Sequence, residues 1–305
     1  MSHLIADIGG TNTRCAIVKQ RRPQKIIEYR NDDFGELLPL LNTYLAQLPS
    51  GQRPESAAIA VAAPIHGEQV HMINRDWAFS VAELKTGLGL KQVRLLNDFE
   101  ALAYALPVLE EQDLRQIGRG TVQSGKPKAV LGPGTGLGVA GLVPADGHWQ
   151  AIAGEGGHVS LPASGDREAE LIRSARQQYG HCSAERLISG PGLTLLHSLL
   201  HGVPESEPAA IGRAAETGNT QAVESLETMF RLLGTVAGDL ALTLGAFGGI
   251  YIGGGIVPRH TEIFARSGFR ERFEDKGRYR EYLGAIPTFV ITADNPTLTG
   301  LAALD

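Results

Sequence analysis

Two short segments of the chain set a glycine-threonine pair in the same apolar surroundings: Gly10-Thr11 within LIADIGGTNTRCAIV and Gly134-Thr135 within AVLGPGTGLGVAGLV. At a constant offset Gly10 falls on Gly134, Thr11 on Thr135 and Ala16 on Ala140, and each copy reads as strand, tight turn, strand. A bare glycine backbone lets a phosphate approach, successive N–H groups at such a turn form an anion-binding concavity, and the threonine hydroxyl adds a donor. Either copy alone would serve equally as an ordinary hairpin. Two copies, one per half, imply a nucleotide clamp.

The remaining chemistry falls to acids at strand ends. Asp98 follows the buried-looking run Val93–Leu96, and Asn97 before it can donate and accept hydrogen bonds to a polyol. A carboxylate there can take the proton of a hydroxyl attacking a γ-phosphate, although Asn-Asp ahead of Phe99-Glu100-Ala101 fits a helix N-cap as well. Gly154-Glu155-Gly156-Gly157-His158 can turn a carboxylate and an imidazole toward one space, suited to sugar hydroxyls, or be a plain solvent loop. Glu185 is either a further ligand or the acceptor of a capping box begun at Cys182 or Ser183.

The elements that must hold these groups alternate between strand and helix. Strands are expected at Leu4–Ile8 and Arg14–Val18, a helix through Leu37 to Leu48, strands at Ala57–Val61 and Val93–Leu96, and a helix over Phe99–Leu106 that stops at Pro107. The polar stretch Glu110–Lys128 is the best domain boundary. Beyond it the order repeats: strands Lys128–Leu131 and Gly138–Val143, helices Arg167–Gln178 and Ala222–Leu244, a strand opening into Gly253-Gly254-Gly255, a strand at Thr288–Thr292 and a closing helix Pro296–Leu304. Two similar α/β halves flanking a cleft are implied. The basic connection Lys19–Asn31 reads as a variable hairpin or loop, and Arg266–Glu281 as a solvated helical face with local ion pairs.

Composition narrows the function. With 305 residues, 43% of them hydrophobic, the chain can fill two domain cores. No run reaches membrane-spanning length, and Met1-Ser2-His3 leads into an apolar strand without a basic or apolar leader, so no membrane partner and a cytoplasmic setting are expected. Two cysteines, Cys15 and Cys182, fit a reducing compartment. A net charge of −5 argues against nucleic acid. Gly120 to Lys126 begins like a Walker loop, but Pro127 replaces its Ser/Thr; Gly136-Leu137-Gly138-Val139-Ala140-Gly141 matches a dinucleotide fingerprint with no helix after it. No metal-ligand spacing appears.

Taken in order, ADIGGTNTR (6–14), AAPIHG (62–67), NRDWAFS (74–80), LLNDFEALA (95–103), LGPGTGLGVA (131–140), GEGGHVSLP (154–162), SAERLISGPGL (183–193), GAFGGIYIGGGIVPR (245–259) and SGFRERFEDKGRY (267–279) resemble the ATP-dependent, non-zinc bacterial glucokinases of the actin-like sugar kinase and Hsp70 superfamily. The resemblance implies a duplicated, ribonuclease H-like α/β fold. Its domains would be 1–108 with a returning C-terminal helix 296–305, and 109–295. It implies transfer of the ATP γ-phosphoryl to the 6-hydroxyl of D-glucose, with Asp98 as base and Asn97, Glu155, His158 and Glu185 on the sugar. Asp7, Ile8, Gly9, Gly10, Thr11 and Asn12, with Gly134, Thr135, Gly136 and Gly253, Gly254, Gly255, would hold ATP, and Asp7 would meet Mg2+ through water. A homodimer is implied as well. The rivals are a related kinase of another hexose, whose zinc motif after the GxxGH loop is missing here, and a non-catalytic sugar sensor, whose helix-turn-helix would have to precede Asp7.

Overall fold

Apolar residues alternate along the first strand so that Leu4, Ala6 and Ile8 enter one core and Ile5 another. A strand covered on both faces belongs in the middle of a sheet. The structure is a computed structural model describing residues 3–49, 51–65, 67, 69–72 and 75–304. Met1 and Ser2 ahead of the first strand, and His66 and Asn74 inside two of the motifs above, lie outside the described residues. Strands β1 (His3–Ile8), β2 (Asn12–Lys19), β3 (Arg22–Arg30), β4 (Ser56–Val61), β5 (Gln69–His71), β6 (Ala78–Ser80) and β7 (Gln92–Asn97) come first. Five of them form a sheet of order β3-β2-β1-β4-β7, and β5 and β6 make a separate antiparallel pair. Helix Leu37–Ala46 covers one face through Leu37, Leu40, Leu41 and Tyr44. The other face meets helices Asp98–Ala105 and Pro296–Ala303 through Ala101, Leu298, Leu301 and Ala302.

The second sheet repeats the plan. Strands β8 (Leu114–Ile117), β9 (Lys128–Pro133), β10 (Leu137–Ala145), β11 (His148–Ala153), β12 (Ile250–Ile252) and β13 (Thr288–Ile291) take the order β11-β10-β9-β12-β13-β8. In each sheet an antiparallel three-strand meander is followed by two parallel strands, and β8 adds an antiparallel edge to the second. Its core is built on helix Thr220–Leu244, which Asn219 caps by accepting the Ala222 N–H at 3.0 Å and Gly245 ends at φ 58°. The chain divides into one compact unit of Met1–Leu109 with Asp294–Asp305 and a second of Glu110–Ala293.

Three expectations are refined. Of the hairpin and the loop left open after Lys19 the structure has the hairpin: β3 pairs antiparallel with β2 at the edge of the first sheet, and the turn between them is made by Gln20 and Arg21 at positive φ, with none of the glycine or asparagine that normally signals such a turn. The polar stretch expected as a domain boundary opens the second compact unit at Glu110 and also contributes β8, which pairs with β13. The charged segment after Arg266 is a solvated face only in part: Glu271, Asp275, Arg278, Arg280 and Glu281 are exposed, whereas other charges turn inward. Arg270 and Glu274 pair at 2.7 Å, each only 13% exposed, and Arg270 also donates to the carbonyls of Leu283, Gly284 and Ile286. Charge patterning alone cannot distinguish ions that bind solvent from ions that satisfy buried carbonyls.

The returning helix bears directly on the helix that begins at Asp98. A Cβ on Gly300 would lie 1.9 Å from the carbonyl oxygen of Ala101, so the two helices touch backbone to backbone. Ala has the better helix propensity by about 1 kcal/mol, but overpacking costs about 1–3 kcal/mol. Gly300→Ala is therefore expected to lower the stability of the protein in urea unfolding; a neutral or stabilised variant would show that the contact yields.

Candidate active site

Hydrogen-bond register brings the first candidates together. Strands β1, β4 and β7 run parallel, with Ile8 opposite Val61 and Val61 opposite Asn97. The turn leaving β1 and the Asn97-Asp98 pair leaving β7 thus share the carboxyl edge of one sheet, two strands or about 10 Å apart. Ligands of open α/β sheets bind outside this edge.

Asn97 is the N-cap of helix Asp98–Ala105: its Oδ1 accepts the N–H of Phe99 at 2.9 Å and of Glu100 at 3.4 Å, and its Nδ2 donates to the Ala63 carbonyl at 3.4 Å. The amide oxygen is committed to the helix, so any hydrogen bond from Asn97 to a sugar falls to Nδ2. Asp98 is the first helical residue, half-buried, and its carboxylate accepts the Phe99 N–H at 3.0 Å. The cap and the acid are thus two residues with separate tasks.

Between the last paired residues Ile8 and Thr13 the first turn holds Gly9, Gly10, Thr11 and Asn12, closed by the Gly9 N–H donating to the Asn12 carbonyl at 3.0 Å. Asp7, one residue before the end of β1, is 18% exposed and 4.0 Å from the Arg14 guanidinium. Burial pushes its carboxyl up to about 6, against the opposing pull of Arg14.

The second turn is a residue shorter: Gly134, Thr135 and Gly136 lie between the paired Pro133 and Leu137, and the Gly134 N–H donates to the Gly136 carbonyl at 2.8 Å. The sequence repeat is therefore inexact in hydrogen bonding. The glycines are here for close approach. A Cβ on Gly132 would lie 2.3 Å from the Gly253 carbonyl carbon, and one on Gly254, at φ 77°, 2.4 Å from the Pro133 oxygen. The Gly253 and Ile256 N–H groups donate to Leu131 and Pro133, and the Gly190 N–H to Gly134 at 2.7 Å. Gly134–Gly136 and Gly253–Gly255 are consequently one backbone surface.

Glu185 joins that surface to the polyol candidates. It does not complete a capping box. Ser183 caps the short helix Ala184–Leu187 by accepting the Arg186 N–H, while Glu185 Oε2 accepts the Leu137 N–H at 2.9 Å and lies where a Cβ on Gly136 would be, 2.4 Å away. The chain segments carrying His158 and Glu185 are stitched by Ala184 N–H to Val159 carbonyl at 2.8 Å and Leu161 N–H to Cys182 carbonyl at 3.1 Å. His158 Nε2 is 3.9 Å from Glu185 Oε1. Glu155 is exposed at the head of the turn Gly156–His158, its carbonyl accepting the His158 N–H at 3.0 Å. Thr135, Glu185, Arg186 and Ser189 line one cavity of about 110 Å³. Two residues the sequence reading passed over, Asn31 and Arg75, both bond to the first turn; the only signal was the presence of Arg75 in NRDWAFS.

The family model for glucokinase matches residues 4–305. A glucokinase of Aromatoleum aromaticum is 47% identical over 99% of this chain and 94% of its own length, and one of Chromobacterium violaceum 45% identical over 98% and 88%. The crystal structure of a glucokinase from an Antarctic psychrotroph superposes with a TM-score of 0.88 at 38% identity, covering 99% of this chain and 98% of that one, and the duplicated sheet order described above is the actin-like fold. Sequence motifs, fold and full-length similarity agree: the chain belongs to the glucokinase family and is an ATP-dependent kinase of glucose.

Proposed function

We propose that Asp98 is the base of this kinase, assisting the 6-hydroxyl of glucose as it attacks the γ-phosphoryl of ATP, with product glucose 6-phosphate. The observation that carries this reading is the register row Ile8–Val61–Asn97, which sets the phosphate turn and Asp98 at one sheet edge about 10 Å apart. In a loose transition state the hydroxyl proton is lost late, so Asp98 orients the hydroxyl first and takes its proton afterwards. Asn97 Nδ2, Glu155, His158 and Glu185 are assigned to the sugar hydroxyls, where the Leu137 N–H holds Glu185 in position. A site built to hydrogen-bond hydroxyls discriminates strongly against sugars lacking one. The two glycine turns and Gly253–Gly255 are assigned to ATP.

Asp7 fits a magnesium ion that keeps water and phosphate ligands. It is a largely buried carboxyl whose ionisation burial opposes, so a neighbouring dication would favour the charged form, and among the described residues no cluster of three or more His, Cys, Asp or Glu forms a protein cage. When bound, magnesium would supply charge neutralisation at the phosphates. A cytoplasmic setting fits the free, buried Cys15 and Cys182, and a homodimer belongs to the same proposal.

The direct test is ADP release from Mg·ATP with glucose, fructose, mannose, N-acetylmannosamine or no sugar, with the product identified. Turnover on glucose giving glucose 6-phosphate is expected; preference for another sugar would replace the substrate, and silence with every sugar would favour the sensor. Asp98→Asn is expected to bind ATP and glucose in calorimetry while kcat falls about 10²-fold or more, because a positioned base contributes about 10²–10⁴. An undiminished kcat would remove Asp98 from the role.

Asp7 makes a prediction about pH. With a carboxyl raised from 3.8 to about 6 on folding, the native state holds its proton longer than the unfolded chain. Its contribution is present below pH 3.8 and is lost as pH rises to about 6, leaving the protein above pH 6 weaker by roughly 2–3 kcal/mol than an uncharged side chain would. Asp7→Asn should thus gain stability over the parent at pH 7–8 and little at pH 4, while losing stabilisation by Mg·ATP. Equal stability differences at both pH values would contradict the buried acid.

A further inference from the structure

We propose that Asn31 and Arg75 are positioning residues of the first phosphate turn, holding its carbonyls back so that its N–H groups are aimed at an anion. Asn31 is wholly buried. Its Nδ2 donates to the Gly9 carbonyl at 2.8 Å, its backbone N–H to the Thr11 carbonyl at 2.9 Å, and its Oδ1 accepts the Thr13 hydroxyl at 2.7 Å. Arg75 Nε donates to the remaining carbonyl, Gly10, at 3.3 Å; one terminal nitrogen donates to the Asn31 carbonyl at 3.0 Å and the other to the Asp32 carboxylate.

The reason lies in the planar trans peptide, in which the carbonyl of one residue and the N–H of the next point opposite ways. Fixing the Gly9 carbonyl on Asn31 turns the Gly10 N–H away from Asn31, and fixing the Gly10 carbonyl on Arg75 turns the Thr11 N–H away from Arg75. Among the described residues neither N–H has a hydrogen-bond acceptor, whereas Gly9, Gly10, Thr11 and Asn12 all have their carbonyls occupied. A four-residue turn rich in glycine has many alternatives, including carbonyl-out conformers that would repel a phosphate. Two side chains, from the 3-10 turn Asn31–Asp33 and from the hairpin joining β5 to β6, select the N–H-out form.

Arg75 is itself firmly held. Its guanidinium lies 4.9 Å over the ring of Trp77, and Val70, Trp77 and Phe79 anchor the hairpin in the core beneath the first sheet. The Met72 N–H closes the hairpin on the Trp77 carbonyl at 3.0 Å. A planar fork that spans two carbonyls and a carboxylate is a task for arginine; a lysine ammonium is a point charge.

This role rests on the reading that the turn holds ATP phosphates, and steady-state kinetics of the full chain separate the two. Arg75→Ala is expected to raise the KM for ATP about tenfold with the KM for glucose little changed, Arg75→Lys to remain impaired, and millimolar guanidinium to restore part of the ATP affinity of Arg75→Ala. Calorimetric titration with Mg·ATP reads the same tenfold without turnover. An unchanged ATP affinity in Arg75→Ala, or equal rises in both KM values without guanidinium rescue, would overturn the positioning role. Should Arg75→Ala not fold, Arg75→Lys carries the test, and parental ATP affinity there would overturn it. Wild-type protein that binds Mg·ATP but turns over no sugar would instead overturn the kinase reading, leaving the positioning role to the titration.

Discussion

Parallel pairing of β1, β4 and β7 is the constraint on which the N-terminal unit depends. One row of the ladder, Ile8, Val61 and Asn97, ends all three strands at the same height, and the segment leaving each strand inherits that edge. Strand β1 runs out into a glycine turn, and β7 into a capped helix with an acid at its first position. A slip of one residue in β7 would turn its side chains to opposite faces and move Asp98 about 3.3 Å along the strand axis. Burial prevents the slip: Leu96 lies in the core against the returning helix, while Val93 and Leu95 pack on the opposite face.

Backbone, rather than side chain, forms most of the proposed nucleotide surface, and backbone must be oriented by something. In the N-terminal unit polar side chains do this: a buried asparagine and a stacked arginine occupy the carbonyls of the turn. In the second unit main chain does it, through close contact of Gly132 with Gly253, Gly254 with Pro133 and Gly190 with Gly134. Two turns of similar sequence are thus fixed by different physics. A buried donor or acceptor left unmatched costs more than a matched one gains, so both solutions satisfy carbonyls first.

The same logic explains charged groups in the second core. Lys128, at the start of β9, is buried with its ammonium donating to the Gly248 carbonyl and the Tyr251 hydroxyl, each at 3.0 Å, and burial pulls its pKa down. Arg270 serves the carbonyls that end helix Arg280–Ala285, and Arg272 pairs with the buried Glu168 at 3.1 Å. Lys128 and Arg270 thus satisfy backbone carbonyls, and Arg272 satisfies a buried carboxylate.

By itself the sequence determined the strands β1, β2, β4, β7, β9, β10, β12 and β13, the two glycine turns, the acid after β7 and the family, because alternation, turn chemistry and contiguous motifs are local properties; the short strands β5, β6, β8 and β11 and the helices Val81–Leu88, Gly190–His201 and Pro208–Glu216 came only with the structure. The edge strand β3 was legible only as one of two alternatives, hairpin or loop, since its alternation is confined to Ile27–Arg30 and its turn uses Gln20 and Arg21. Nor was the division of labour at Asn97 and Asp98, which becomes visible only when Oδ1 is seen on the helix N–H groups. Glu185 reads from sequence as a capping acid or a ligand; tertiary structure puts its carboxylate on the Leu137 N–H, in space that Gly136 leaves open. Asn31 and Arg75 lie 22 and 65 residues from the carbonyls they hold. Hydrogen bonds across such separations leave no periodic trace, so only the folded chain reveals which polar residues orient the turn and which merely face water.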